Sequence, residues 1–139
     1  MPQQSAIEAV LTAVYAALNV AAMTALATGG VHNGLPATVS YPFVRIGDCT
    51  ETREDCMGQP GKDVLVRVHV FAQGRTDLAV SRILSKVNEL LHYATFAVTG
   101  HTLVSSQFQQ SFPAGTENIN GVEVRHHEAE VLVTVRQTL

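Results

Sequence analysis

Histidine side chains, together with the carboxylates near them, have the clearest capacity for chemistry in this chain. Six histidines occur in 139 residues, and the densest cluster is His126-His127-Glu128. Imidazole and carboxylate groups bind zinc where three or four of them converge. Adjacent residues of a strand point to opposite faces, so His126 and His127 should diverge unless a bulge intervenes, and His69 on a neighbouring strand could come close. No third ligand has metal-site spacing, and we therefore expect ordinary polar histidines, no bound metal and no cofactor.

The cysteines and serines give no nucleophilic site. Cys49 and Cys56 lack a CxxC pair; they face each other only if residues 52–53 turn a hairpin, and are otherwise small strand or loop residues. Neither a helix N-terminus nor an adjacent basic residue activates Cys49. No serine lies in a Gly-flanked elbow, and Gly29-Gly30 follows a predicted helix, whereas a phosphate-binding loop follows a strand. We expect no catalytic residues and no enzymatic activity.

One stretch of the chain carries a local surplus of negative charge. Its four acidic residues are Asp48, Glu51, Glu54 and Asp55. Arg45 and Arg53 are the basic residues nearby. One interpretation is a solvated loop. The other is a functional surface, an anionic wall that repels nucleic acid passing close to it.

The composition favours a protein that works by contacting other proteins. Only 15% of the residues are charged, whereas about 25% is typical, so much of the surface must be neutral or apolar. Glu8 is the one charged residue before Arg45. That lack of early basic residues argues against a secretory signal, and polar interruptions argue against a membrane span. The net charge of −3 argues against a protein that grips phosphates, and two cysteines suggest a cytosolic chain with reduced thiols.

Apolar residues at helical spacing predict two main helices. The first spans about 5–18, with Ser5 and Glu8 as a capping box, and a short second piece over 21–27 should end at Gly29-Gly30. The other main helix spans about 76–92, with Thr76 as its N-cap. The apolar positions of this helix are Val80, Ile83, Leu84, Val87 and Leu91.

Alternating valines predict the strands. A strand over 43–46 continues into the acidic run, the clearest strand spans 64–71, and two more cover 102–112 and 122–135. The last one changes the parity of its apolar positions, which predicts a bulge near His126-His127. We expect a single domain over 1–139 of class α+β, with both helices on one face of a mainly antiparallel sheet. Val68 and Val131 should be buried in its core.

Three segments resemble a known family when they are taken in order. They are 31–36 (VHNGLP), 41–48 (YPFVRIGD) and 64–71 (VLVRVHVF), followed late in the chain by Gly121-Val122 and a Val-rich strand. This order is similar to the tail-terminator, or tail-completion, family of long-tailed bacteriophages and gene transfer agents. The likeness covers roughly residues 6 to 136, and the family has no catalytic residues to carry over.

The resemblance implies a virion tail protein assembled in the bacterial cytoplasm. Such a protein forms a homo-hexameric ring at the head-proximal end of the tail and ends polymerisation of the tail tube. Its partners would be further copies of itself, the tail tube protein and a head-side connector or stopper, with no membrane. DNA would pass through the ring without specific binding, and Asp48, Glu51, Glu54 and Asp55 would line the lumen or an inter-subunit loop.

Two other classes of function are consistent with the residues alone. One is a small ligand-binding or regulatory domain that dimerises through its sheet. The other is an enzyme subunit whose active site lies between protomers and uses His69, His126 or His127. The mass of the protein in solution separates a dimer from a ring, and a bound metal would favour the enzyme.

Overall fold

The described part of the chain folds into three helices and five strands. A computed structural model describes residues 4–34, 36–55, 58–119 and 121–138. The elements in chain order are α1 (Ile7–Leu18), α2 (Ala21–Thr24), β1 (Val31–Asn33), β2 (Phe43–Arg53), β3 (Gly61–Gln73), α3 (Leu78–Leu91), β4 (His101–Ile119) and β5 (Val122–Gln137).

The strands form one sheet in the order β1-β2-β3-β5-β4. β1 runs parallel to β2, and the other neighbouring strands are antiparallel. With the helices packed on it, this sheet confirms the predicted α+β class. β1 was not predicted, because a strand of three residues is too short to show a period.

The core lies between the helices and one face of the sheet. Val68 of β3 and Val131 of β5 are fully buried there, as predicted. Alternate residues of both strands share this face because strand side chains alternate. The helical residues that cover them recur at three- and four-residue spacing, as an amphipathic helix requires: Val10, Val14, Leu18, Val80, Ile83, Val87 and Leu91.

The start of α1 differs from the prediction. Its N-cap is Ala6, and no side-chain hydrogen bond from that residue caps the helix. The carboxylate of Glu51, from β2, instead accepts hydrogen bonds from the Ala6 amide at 2.7 Å and the Ser5 hydroxyl at 3.1 Å. The predicted Ser5–Glu8 capping box is therefore wrong, since a distant carboxylate occupies the place that a local one would take.

The two later helices agree more closely with the predictions. The piece expected over 21–27 is the single turn α2. α3 covers most of the predicted 76–92, but its N-cap is Asp77 rather than Thr76.

The predicted bulge in β5 is wrong. β3 and β5 keep one uninterrupted register from Gly61 opposite Arg136 to Gln73 opposite Val124. The register shifts of the β4–β5 pair lie in β4, and one of them, between Pro113 and Gly115, is opposite His126 and His127. β5 therefore keeps its parity, and its even-numbered residues all lie on the side of the sheet away from the helices.

The two edges of the sheet are unequal. β1 forms one edge with three residues, whereas β4 forms the other with 19. Most β4 side chains between 109 and 118 are exposed. None of the helices in the described part of the chain has the length and apolar run needed to cross a bilayer.

Candidate functional site

The side of the sheet opposite the helices, here called the open face, carries polar groups in cross-strand rows. In the central row Arg45, His69 and Glu128 lie side by side on β2, β3 and β5. His69 is almost completely buried, although it lies on the face without helices. A buried imidazole requires hydrogen-bond partners, and its neighbours on the open face supply them.

An aromatic stack covers one flank of His69. Phe43, Phe71 and His126 form the next cross-strand row. The Phe43 and Phe71 rings stack at 4.7 Å between centroids, and the Phe71 and His126 rings at 4.2 Å. Tyr41 and Val124 line the same hollow. The stack fixes the plane of the His126 ring and helps to shield the histidines from water.

Four side chains from three strands converge beside this stack. His69 Nδ1 lies 2.9 Å from His126 Nε2 and 3.4 Å from the Glu128 carboxylate. His69 Nε2 lies 2.9 Å from Asp48 Oδ2. One ligand atom each from His69, His126 and Glu128 lies within 4.8 Å of the other two. These four residues are called the histidine cluster below.

The surroundings hold both imidazoles toward their neutral form. Burial lowers the pKa of His69, and Arg45 lowers it further, while Glu128 and Asp48 act in the opposite direction. Burial also lowers the pKa of His126, with His69 as the next cause. A neutral imidazole keeps a ring nitrogen that can bind a cation.

His127 does not join the cluster. It lies on the helix side of the sheet, where Nε2 is 3.5 Å from the Asp77 carboxylate. The divergence of His126 and His127 was predicted. The convergence of His126 and Glu128 was missed, although their spacing of two residues places both on one face of an unbroken strand. The bulge wrongly predicted near His126-His127 removed the reason to place His126 and Glu128 on the same face.

Two of the predicted lumen residues serve the protomer's own structure. Asp48 adopts a positive φ of 54° at the irregularity between Gly47 and Thr50, and its carboxylate contacts the histidine cluster. Glu51 caps α1. Both lie within β2, which continues through the acidic run to Arg53.

The other two predicted lumen residues follow β2. Glu54 lies 4.0 Å from the Arg136 guanidinium, and the neighbouring carboxyl of Asp63 raises its pKa. Asp55 pairs with Arg53. All four acidic residues therefore contact basic or hydrogen-bond donor groups of the protomer itself.

Cys49 is a poor nucleophile. Burial raises the pKa of its thiol and Asp48 raises it further, against an opposing effect of Arg67. A protonated thiol reacts weakly, as expected from the sequence. Residues 52–53 lie within β2 and pair with β3, so the hairpin that would bring the two cysteines face to face is wrong; Cys56 itself lies outside the described residues.

The outer surfaces of the two main helices differ. α3 exposes Arg82 and a Lys86–Glu89 ion pair of 2.7 Å. Apart from Glu8 in the first turn of α1, the surface that α1, α2 and the residues joining and following them expose carries no charge, and it is called the neutral helix surface below. Its residues are Thr12, Ala16, Asn19, Val20, Ala21, Ala22 and Ala25. Surface of this kind favours protein contacts.

Comparison with known proteins identifies a family and solved chains of similar fold. The model of the family described as "Tail completion protein gp17" matches residues 12–132. A solved chain from the "Virion of native gene transfer agent (GTA) particle" superimposes with a TM-score of 0.81 at 16% identity, over 96% of this chain and 99% of that chain. Among curated proteins, none matches the sequence.

Proposed function

The chain belongs to the Tail completion protein gp17 family, and on that premise we propose that it is the tail terminator of a long-tailed phage or gene transfer agent. It is a structural tail protein. We propose that six copies form a ring at the head-proximal end of the tail, which stops polymerisation of the tail tube and joins the tail to the head-side connector. The family match over residues 12–132 carries this proposal.

Two opposite sides of the protomer support a ring. In a ring, each subunit contacts the next through two different surfaces. β4 offers the long outer edge of the sheet, where most side chains between 109 and 118 are exposed, and a neighbour can cover such an edge. α1, which bears much of the neutral helix surface, packs over β1, β2 and β3, toward the other edge. The β4 edge of one copy and the neutral helix surface of the next are the proposed contact.

We propose that the bore of the ring carries no basic lining. Lysine and arginine would bind DNA phosphates through counterion release and resist its passage. The proposed lining consists of Asp48, Glu51, Glu54 and Asp55. Of these, Glu54 and Asp55 are the ones to exchange, because Glu51 caps α1 and Asp48 contacts the histidine cluster.

Solution mass and electron microscopy test the ring. We expect a hexamer, or a monomer that associates as its concentration rises, and density for this chain at the head-proximal end of the tail. Ala16→Lys with Ala22→Lys places charge on the neutral helix surface and should abolish association. Ser85→Lys on the charged surface of α3 is the control and should leave association unchanged.

Three outcomes contradict the proposal. A dimer at every concentration would favour the ligand-binding or regulatory domain. Density for this chain away from the tail axis would exclude the terminator role. Association that survives both lysine substitutions would exclude the proposed contact surface.

Charge reversal tests the bore. Glu54→Lys with Asp55→Lys should leave particle assembly intact but lower DNA delivery per particle, and the melting temperature of the variant measures what the loss of the hydrogen bond from the Gly61 amide to Asp55 costs. Glu89→Lys, at an exposed position of α3, is the control for an added positive charge. Normal delivery by the double variant would contradict the lumen assignment while leaving the ring proposal standing.

A further inference from the structure

We propose that His69, His126 and Glu128 form a binding site for a divalent transition metal, with zinc as the ion that suits them best. Two imidazoles and one carboxylate are an established zinc ligand set. The proposal departs from the sequence-based expectation of a metal-free protein, and it does not depend on the proposed ring.

Two of the three ligand-to-ligand distances are close to those of a tetrahedral site, and the third is at most 4.8 Å. With zinc bonds of about 2.0–2.1 Å, two ligands of a tetrahedron lie about 3.3–3.4 Å apart. His69 Nδ1 is 2.9 Å from His126 Nε2 and 3.4 Å from the Glu128 carboxylate. Small side-chain movements therefore suffice to admit the ion, and the hydrogen between the two rings would be carried by Nδ1 of His126 instead, so that both imidazoles stay neutral.

Asp48 orients the central ligand. Its carboxylate lies 2.9 Å from His69 Nε2, so that nitrogen donates its hydrogen and leaves the lone pair of Nδ1 directed at the proposed ion. A carboxylate that holds the far nitrogen of a metal-binding histidine is a recurrent feature of zinc sites. The open-face stack fixes the other ring, since His126 lies against Phe71.

The charge of the site favours a divalent cation. Glu128 and Asp48 contribute two negative charges. Arg45 offsets one of them, with its guanidinium 3.7 Å from Asp48. The remaining negative charge and the two neutral imidazoles favour a divalent transition-metal ion over a monovalent cation, because nitrogen ligands bind transition metals well.

The position of the site indicates a structural role. A bound ion would join β3 to β5 directly and β2 through Asp48, on the face of the sheet that lacks helices. The side chain of the ligand Glu128 is 19% exposed, so water can reach the ion and complete its coordination. Binding to the folded state alone would stabilise the fold.

Zinc titration of two neighbouring variants tests the proposal. His126→Phe removes a ligand but retains a ring to stack on Phe71, and His127→Phe makes the same change on the helix side of the sheet. We expect one zinc per chain, by calorimetry and elemental analysis, in untagged wild type and His127→Phe. His126→Phe should lose at least about 10-fold in affinity. Excess zinc should raise the melting temperature of wild type by about 5 °C.

Two further variants keep the test decisive if His126→Phe folds poorly. Glu128→Gln should also lose affinity for zinc. Asp48→Asn should still bind one zinc per chain, but more weakly than wild type, because it perturbs the orientation of the His69 ring and removes no ligand. Tetrahedral Co²⁺ absorption should appear in wild type and be absent in Glu128→Gln. Absence of zinc binding at stoichiometric concentration would overturn the proposal, as would equal affinities of the His126→Phe and His127→Phe variants.

Discussion

The two faces of the sheet are stabilised by different physical means. The helix-covered face is built from valines at alternate positions, closed by α1 and α3, and its residues are almost completely buried. The open face is built from an aromatic stack, the histidine cluster and ion pairs. Apolar packing is non-directional and tolerates approximate placement, whereas hydrogen bonds and metal ligands require atoms within tenths of an ångström. The covered face therefore carries most of the stability, and the open face carries the specific chemistry.

The largest effect should come from truncation on the covered face. Val68→Ala removes two methyl groups from a fully buried position. We expect a loss of about 1–3 kcal/mol in the free energy of unfolding, measured by urea denaturation. Val104→Ala is the same change at a site 54% exposed and should cost at most about 0.5 kcal/mol. Equal losses in the two variants would show that the buried and the exposed valine contribute equally to the free energy of unfolding.

The same contrast explains what the sequence could predict. α1, α3 and β3 were predicted because each has an apolar face with a regular period, and period alone places Val68 in the core. The parity of β5 was misread because Val124 is apolar and buried yet lies on the open face, in the hollow beside Phe71. Apolar periodicity marks burial but not the face on which burial occurs.

The histidine cluster depends on the pairing register of the strands, which the apolar period of a single strand does not determine. His69 and His126 meet only in one register of β3 against β5, and a shift of one residue would send them to opposite faces. Asp48 joins them through an irregularity of β2. The Glu51 cap is equally non-local, since it joins residues 45 apart in sequence. Single-sequence patterns describe neighbours along the chain, and these contacts lie between strands.

A middle-sized effect should come from the cap of α1, where the acidic run meets the covered face. Glu51→Ala leaves the Ala6 amide, at the N-cap of α1, without the carboxylate that accepts its hydrogen bond, and we expect a loss of about 0.5–2 kcal/mol in the free energy of unfolding. Glu54→Ala removes an exposed carboxylate of the same run and should change stability by at most about 0.5 kcal/mol. Thermal denaturation of both variants measures the difference. An equal loss in both would show that Glu51 acts as a surface charge.

The smallest effect should come from an ion pair of the open face. The Arg67 guanidinium lies 3.6 Å from the Glu130 carboxylate, with side chains 33% and 13% exposed. Water reaches the pair, so its attraction is screened, and ordering the arginine opposes the gain. A double-mutant cycle with Arg67→Met and Glu130→Gln should give a coupling energy below about 1 kcal/mol, which falls as salt is added. Glu130 also accepts a hydrogen bond from Gln110, so Gln110→Ala is the background in which to repeat the cycle. A coupling energy above about 2 kcal/mol in both backgrounds would mean that charge pairs on the open face stabilise the fold as much as the buried valines do. The conclusion that the covered face carries most of the stability would then be wrong.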